Sequence, residues 1–458
     1  MATATRLRTP VGGQGLPYIG EALTFLRDPA TFVAARRARY GPIFTTRFLG
    51  QRVIVLPGAE AQRIVLAAQV ENFPWRDGNP YAEPFLAGTL ALTDGLPHDI
   101  PRKAMSPAFH RRSLTDYVAQ IQQAVDTRLG AWGAAGVRPF FPEAHRITFS
   151  LAFLLLFGAD VFEQYDDLNR VWTTFMDGAV NPVQLNLPFT PFGAALRAQK
   201  RIEAHLQAII TQRRDSEQAQ GASGAAMDRG DLLDMLLRAR DQHGIPLADE
   251  VIRAELKVLL FASYDTTPGT MVWLLVELLR HPALLARARQ EVIAHCGADA
   301  AAPLTYEMLR QMTLLDAAIK EALRVHPQSV FSLRGVRAAC EIAGYAIPAK
   351  STIMLVPAYT HRMPEYFADP AVFDPDRFLP PRQEDVKHPY AFIGFGGGPR
   401  ICIGEALARI EIKVFFAQLV RRFDLGLVER QDLTPRYVPS RPKGNVLITY
   451  SERADTPA

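Results

Sequence analysis

The stretch from Phe395 to Gly404, FGGGPRICIG, decides how this chain is read. Three consecutive glycines and a proline suit neither a helix interior nor a strand, so the backbone turns tightly there or lies close against something. The apolar spacing of EALARIEIKVFFAQLVRR, which follows, predicts an amphipathic helix over 402–422. Cys402 then stands at or near a helix N-terminus, where free N–H groups and the positive helix end favour a thiolate over a thiol. A thiolate among N–H donors, beside a glycine-lined surface, suits axial ligation of a haem iron. Gly396 to Gly398 would let the main chain approach the porphyrin plane, with Arg400 placed to pair with a propionate. Taken alone, the segment reads sooner as a buried cysteine closing a turn.

Composition leaves room for such a centre. The 458 residues are 48% hydrophobic and 21% charged, which excludes a disordered or fibrous chain. A formal net charge of +4 is too mild to argue for nucleic acid. A bilayer span needs ~20 consecutive apolar residues, and runs such as LAFLLLFGA (151–159) and MVWLLVELL (271–279) are shorter. The first twenty residues, with Arg6, Arg8 and Pro10, hold no apolar signal core. No membrane span and a cytoplasmic location are expected. Cys296, Cys340 and Cys402 are odd in number and widely spaced, without CxxC, so neither a disulfide framework nor a zinc knuckle is supported.

Helical patterns dominate, with a minor β portion. Helices are expected over 30–39, 114–132, 196–213, 283–295 and 314–325, and short strands over 43–48 and 52–56. Residues 248–280 read as one helix roughly 50 Å long, stopped by His281-Pro282. SEQAQGASGAAMDRG (216–230) reads as an exposed loop, 341–356 as a hairpin and 357–389 as irregular. No composition break divides the chain. A single domain over 1–458 is expected, with a β-containing N-terminal part at about 10–70, a helical core at about 90–425 and a C-terminal β hairpin at about 426–450.

The pattern Phe-x-x-Gly-x-Arg-x-Cys-x-Gly, filled by Phe395, Gly398, Arg400, Cys402 and Gly404, resembles the haem-binding loop of the cytochrome P450 family. Three other segments occur in the family's order. Glu321 and Arg324 share a helix face at i, i+3. Together with Pro375-Asp376-Arg377-Phe378 they resemble the family's Glu-x-x-Arg and Pro-x-Arg-Phe elements, which implies a buried structural lock of Glu321, Arg324 and Arg377 rather than a catalytic group. Ala262 to Gly269, ASYDTTPG, is poor helix interior: Pro268 has no N–H for the Tyr264 carbonyl and Thr266 can bond back to the main chain, so a local opening is expected. The segment resembles Ala-Gly-x-Asp/Glu-Thr-Thr, which implies that Asp265 and Thr266 are the acid and alcohol of a catalytic proton relay. It departs at Ser263, where the family usually has glycine and where the pocket would narrow. His98 and Arg102, at i, i+4, and Arg334 resemble the family's propionate-binding positions.

The resemblance implies a mainly α fold with a minor β portion, the cytochrome P450 fold, holding haem b (iron protoporphyrin IX) between a long central helix and the cysteine loop. It implies a haem-thiolate monooxygenase that inserts one atom of O2 into a small apolar substrate by hydroxylation or epoxidation. Trp75, Ala262, Ser263, Val330 and Phe331 fall in its substrate-facing segments. No GxGxxG follows a strand, so electrons are expected from a separate ferredoxin or flavodoxin and its reductase. A basic patch of Arg102, Lys103, Arg111, Arg112, Lys413, Arg421 and Arg422 is the candidate docking face. GLPYIGEALTFL (15–26) and SRPK (440–443) are most similar to the soluble bacterial retinoic-acid-hydroxylase-like branch, which implies retinoid, isoprenoid or fatty-acid-like substrates. Arg76 either pairs with a substrate carboxylate or faces solvent. The alternatives are a peroxide-driven peroxygenase and a non-catalytic haem-binding sensor, and the Asp265–Thr266 pair argues against both.

Overall fold

The computed structural model describes residues 7–181, 183–221 and 230–453. Its organising element is the helix Asp249–Arg280. Asp249 and Glu250 in the first turn complement the helix dipole, and the helix stops at His281 because Pro282 follows. Every residue from Thr267 to Leu278 is buried. A helix apolar on all sides must be enclosed by others. It is flanked by Phe140–Phe157 and by Thr313–Val325. Burying a leucine such as Leu274 or Leu275 there stabilises the fold by about 1.5–3 kcal/mol.

The helix runs unbroken through Pro268, so the expected opening is not a break in it. Thr266 Oγ1 donates to the Ala262 carbonyl at 2.7 Å, and Thr270 Oγ1 donates to the Thr266 carbonyl at 2.8 Å. Gly269 allows a close approach: a Cβ there would stand 2.8 Å from the Ser440 carbonyl oxygen.

Strands are few and short. They are β1 (Phe44–Phe48), β2 (Gln51–Val55), β3 (Ala135–Pro139), β4 (Ser332–Gly335), β5 (Cys340–Ile342), β6 (Tyr345–Ile347), β7 (Thr352–Leu355), β8 (Phe423–Leu427), β9 (Pro435–Tyr437), β10 (Ser440–Pro442) and β11 (Leu447–Glu452). The main sheet has the order β1-β2-β7-β4, with β2 and β7 parallel.

Several expectations change. The 341–356 hairpin closes only between β5 and β6, because β7 leaves to pair with β2 and β4. The C-terminal hairpin is two units: β9 with β10, and β8 with β11, the latter also joined by the unforeseen β3. The helix Pro191–Gly221 extends into the expected loop, and residues 222–229 of that loop lie outside the described residues. Short helical turns interrupt 357–389 at Pro357–Thr360, Pro375–Phe378 and Glu384–Lys387. The helix after the cysteine begins at Glu405, so Cys402 sits in the turn before it. Phe140–Phe157 is long and apolar enough to cross a bilayer, beyond what the 151–159 run suggested, but 78% of it is buried inside the protein.

Candidate active site

The cysteine loop folds back on itself through backbone geometry. Gly396 and Gly398 adopt φ of +80° and +66°. A Cβ at Gly398 would lie 1.8 Å from the Leu66 carbonyl oxygen, so only glycine fits. The Cys402 N–H donates to the Phe395 carbonyl at 2.9 Å and closes the turn. Cys402 is accessible although the surrounding protein desolvates it, which places its sulfur in a cleft. Burial pushes the thiol up; the N–H groups of Gly404 and Glu405 and the charge of Arg102 pull it back, and the Glu405 carboxylate opposes them. Helix-end stabilisation is therefore present but outweighed. A cation bound to the sulfur would reverse the balance, as coordination deprotonates a thiol.

Beside it lies a cluster of cations short of counterions. Arg102 Nη2 donates to the Ile401 carbonyl at 2.7 Å. Arg400 donates to the carbonyls of Leu90 (3.2 Å) and Thr93 and to Asp94 Oδ1 (2.5 Å). Arg334 is buried, lies 5.5 Å above the Trp75 ring and donates to the Leu333 carbonyl at 2.8 Å. Burial, reinforced by Arg400 and opposed by Asp94, pushes its pKa down to about 9. His98 is buried; its Nδ1 meets Asp99 Oδ1 at 2.7 Å, and its Nε2 has no partner among the described residues. Burial and the charges of Arg400 and Arg102 lower its pKa against Asp99. A buried arginine that touches no carboxylate among the described residues, beside an imidazole nitrogen unpartnered among them, fits the two propionates of a haem.

On the central helix, Ala262 and Thr266, one turn apart, are exposed beside a fully buried half, and Ser263 Oγ donates to the Leu260 carbonyl at 3.1 Å. Burial raises the Asp265 pKa, Arg441 and Arg436 oppose this, and Asp177 adds to it. Val330 is buried in the N-terminal core, and Phe331 stacks edge-on against Phe25 and Phe48 at 5.5 and 5.3 Å. Packing already accounts for both of these predicted pocket residues.

Glu321, Arg324 and Arg377 come together fully buried. Glu321 accepts from Arg324 Nε at 2.7 Å and Nη2 at 2.8 Å, from Arg377 Nε at 3.0 Å and from the Asp374 N–H at 2.8 Å. Arg377 also reaches Glu384 Oε2 at 2.9 Å and the Ala368 carbonyl at 2.7 Å. Sequence reasoning missed Glu384 and His361, neither of which carries a local pattern.

The basic patch shrinks. Lys413 and Arg421 are buried, donating to the carbonyls of Leu309 (3.1 Å) and Asp299 (2.7 Å), because the helix after the cysteine is enclosed on nearly all sides. Arg422 pairs with Asp126 at 2.9 Å, which leaves Lys103, Arg112 and Arg111 exposed, the last paired with Glu307 at 2.5 Å. Arg76 is exposed and paired with Glu83 at 2.6 Å.

The sequence pattern of the family described as Cytochrome P450 matches residues 10–449. A putative cytochrome P450 120 of Synechocystis sp. is 32% identical over 447 residues, 96% of each chain. Abscisic acid 8'-hydroxylase 2 of Oryza sativa subsp. indica is 32% identical over 93% of this chain and 83% of its own. Among solved structures, retinoic acid-bound cyanobacterial CYP120A1 matches with a TM-score of 0.87 at 31% identity, over 98% of this chain and 100% of that one. The fold expected from the cysteine loop is thus the fold observed, and this chain belongs to the cytochrome P450 family, monooxygenases that bind haem b through a cysteine thiolate.

Proposed function

We propose that Cys402 is the haem ligand of a monooxygenase that acts on an apolar retinoid, isoprenoid or fatty-acid-like molecule. The observation that carries this reading is the cation cluster: among the described residues His98 Nε2 has no partner and the buried Arg334 touches no carboxylate, and Arg102 is bonded to the residue preceding Cys402. Haem, when bound, supplies dioxygen activation and the transfer of one oxygen atom to a C–H or C=C bond.

The chain's own residues do the rest. Arg102, Arg334 and Arg400 neutralise the propionates, whose charge would let His98 take up a proton and donate from Nε2, and the Gly404 and Glu405 N–H groups temper charge on the sulfur. The Thr266 hydroxyl donates to Ala262, so its oxygen is left to accept a hydrogen from water in the cleft. Asp265, its carboxyl pushed up by burial, is the acid that would supply protons to this water. Ala262, Ser263 and Trp75 border the substrate. Electrons come from a separate ferredoxin or flavodoxin docking near Lys103, Arg111 and Arg112, with the chain in the cytoplasm. The substrate class is supported by relatives whose names carry retinoic and abscisic acids.

The test is spectroscopic and catalytic. The haem-loaded protein should show the red-shifted ferrous-carbonyl absorbance of a thiolate ligand, and retinoids or isoprenoids should shift its Soret band by displacing water. Oxygenation with ferredoxin, reductase and NADPH supports the reading. Turnover with peroxide alone would replace it by the peroxygenase, and a flat Soret response across these ligands would discard the substrate class.

A further inference from the structure

Leu90 is held at both ends of its own peptide units. Its N–H donates to Glu255 Oε1 at 2.9 Å, and its carbonyl accepts from Arg400 Nη1 at 3.2 Å. One residue of the segment 87–94 therefore joins the central helix to an arginine of the cysteine loop. Arg400 grips the same segment again through the Thr93 carbonyl and Asp94. Glu255 is fully buried, and its Oε2 has no partner among the described residues.

Among the described residues no counter-charge faces Glu255. On its own helix, Arg253 is turned to Gln207 and Lys257 to Glu203. In the facing segment, Asp94 is held by Arg400. Only burial and the Leu90 N–H act on the carboxyl, and burial dominates, pushing its pKa up to about 8. At neutral pH it is a neutral acid that accepts one backbone N–H. An ionised Glu255 would gain from that N–H, but a buried charge without a partner costs more than one hydrogen bond returns. The carboxylate then leaves for water and releases Leu90.

The geometry points to Glu255 as a positioning residue that latches the segment 87–94 and, through Leu90, fixes Arg400 for its propionate. This rests on the reading of Arg400 as a propionate partner. The latch is closed below the titration of Glu255 and opens above it, so the grip on haem weakens in alkali.

The experiment follows backbone hydrogen exchange of peptides spanning 87–94, and haem transfer to apomyoglobin, across pH 6.5 to 9.5. Exchange is corrected for its intrinsic pH dependence. Glu255→Leu should raise exchange in 87–94 about tenfold, and haem release with it, while peptides over 270–278 stay protected. Glu255→Gln keeps an acceptor that does not ionise, so it should stay closed and remove the alkaline rise seen in the parent. Unchanged exchange and release in Glu255→Leu would overturn the latch, as would an alkaline rise in 87–94 exchange retained by Glu255→Gln. Arg400→Leu separates the two readings. If it leaves haem release unchanged, the propionate assignment fails. If it speeds release and Glu255→Leu does not, the latch alone fails.

Discussion

His361 Nε2 accepts the Ile393 N–H at 3.0 Å, and the carbonyl of the same histidine accepts from Arg324 Nη1 at 2.9 Å. One buried residue thus ties the Glu321–Arg324–Arg377 lock to the segment that leads into the cysteine loop.

Burial, helped by the Arg324 charge, pushes the His361 pKa down to about 3. Above pH 6.5 the imidazole is neutral in both folded and unfolded chains. As pH falls toward 3, the unfolded chain takes up a proton that the folded site refuses, and stability drops by about 1.4 kcal/mol per pH unit. His361→Gln should flatten that slope in denaturant titrations between pH 7 and 5. His361→Ala should instead cost about 1–3 kcal/mol at pH 7, by orphaning the Ile393 N–H.

Arg377→Lys tests the lock. A lysine cannot meet Glu321, Glu384 and two carbonyls from one planar head. A loss of about 3–5 kcal/mol is expected, as for a broken buried pair. Equilibrium unfolding measures it, and a loss under 1 kcal/mol would contradict the lock.

Arg334 should make haem uptake pH-sensitive. In the free protein its pKa lies at about 9, and pairing with a propionate requires the charged form. Above pH 9 binding must first take up a proton, so affinity should fall by up to about tenfold per pH unit. Arg334→Leu should bind more weakly at pH 7 and lose this dependence in haem titrations.

Arg441 is the largest charge opposing the burial of Asp265. Arg441→Met should raise that pKa further and move the alkaline fall of turnover to higher pH, since the protonated acid is the donor. Asp265→Asn should lower turnover about 10²–10⁴-fold below that fall and abolish the alkaline fall itself. Reaction rates from pH 6 to 9 distinguish the two variants.

The parts of the site legible in the sequence are those whose residues are close along the chain. FGGGPRICIG declares its turn through glycine and proline, and Glu321 with Arg324 share a face by helical spacing alone. Asp265 and Thr266 are adjacent on a helix whose stop is written in His281-Pro282. What stayed hidden is non-local. β3 joins β11 across some three hundred positions, and AGVRP has no alternation to announce it. Lys413 and Arg421 look like a solvated face until the helix that carries them is enclosed.

Sequence by itself determined the helical class, the cysteine turn and the identity of the charged groups, because backbone sterics and hydrophobic periodicity act within a few residues. Only the tertiary structure decided which charges are buried, which carbonyl each arginine meets, and that Leu90 and His361 are the joints between segments. Desolvation and hydrogen-bond pairing depend on what packs alongside, and distant parts of the chain supply that.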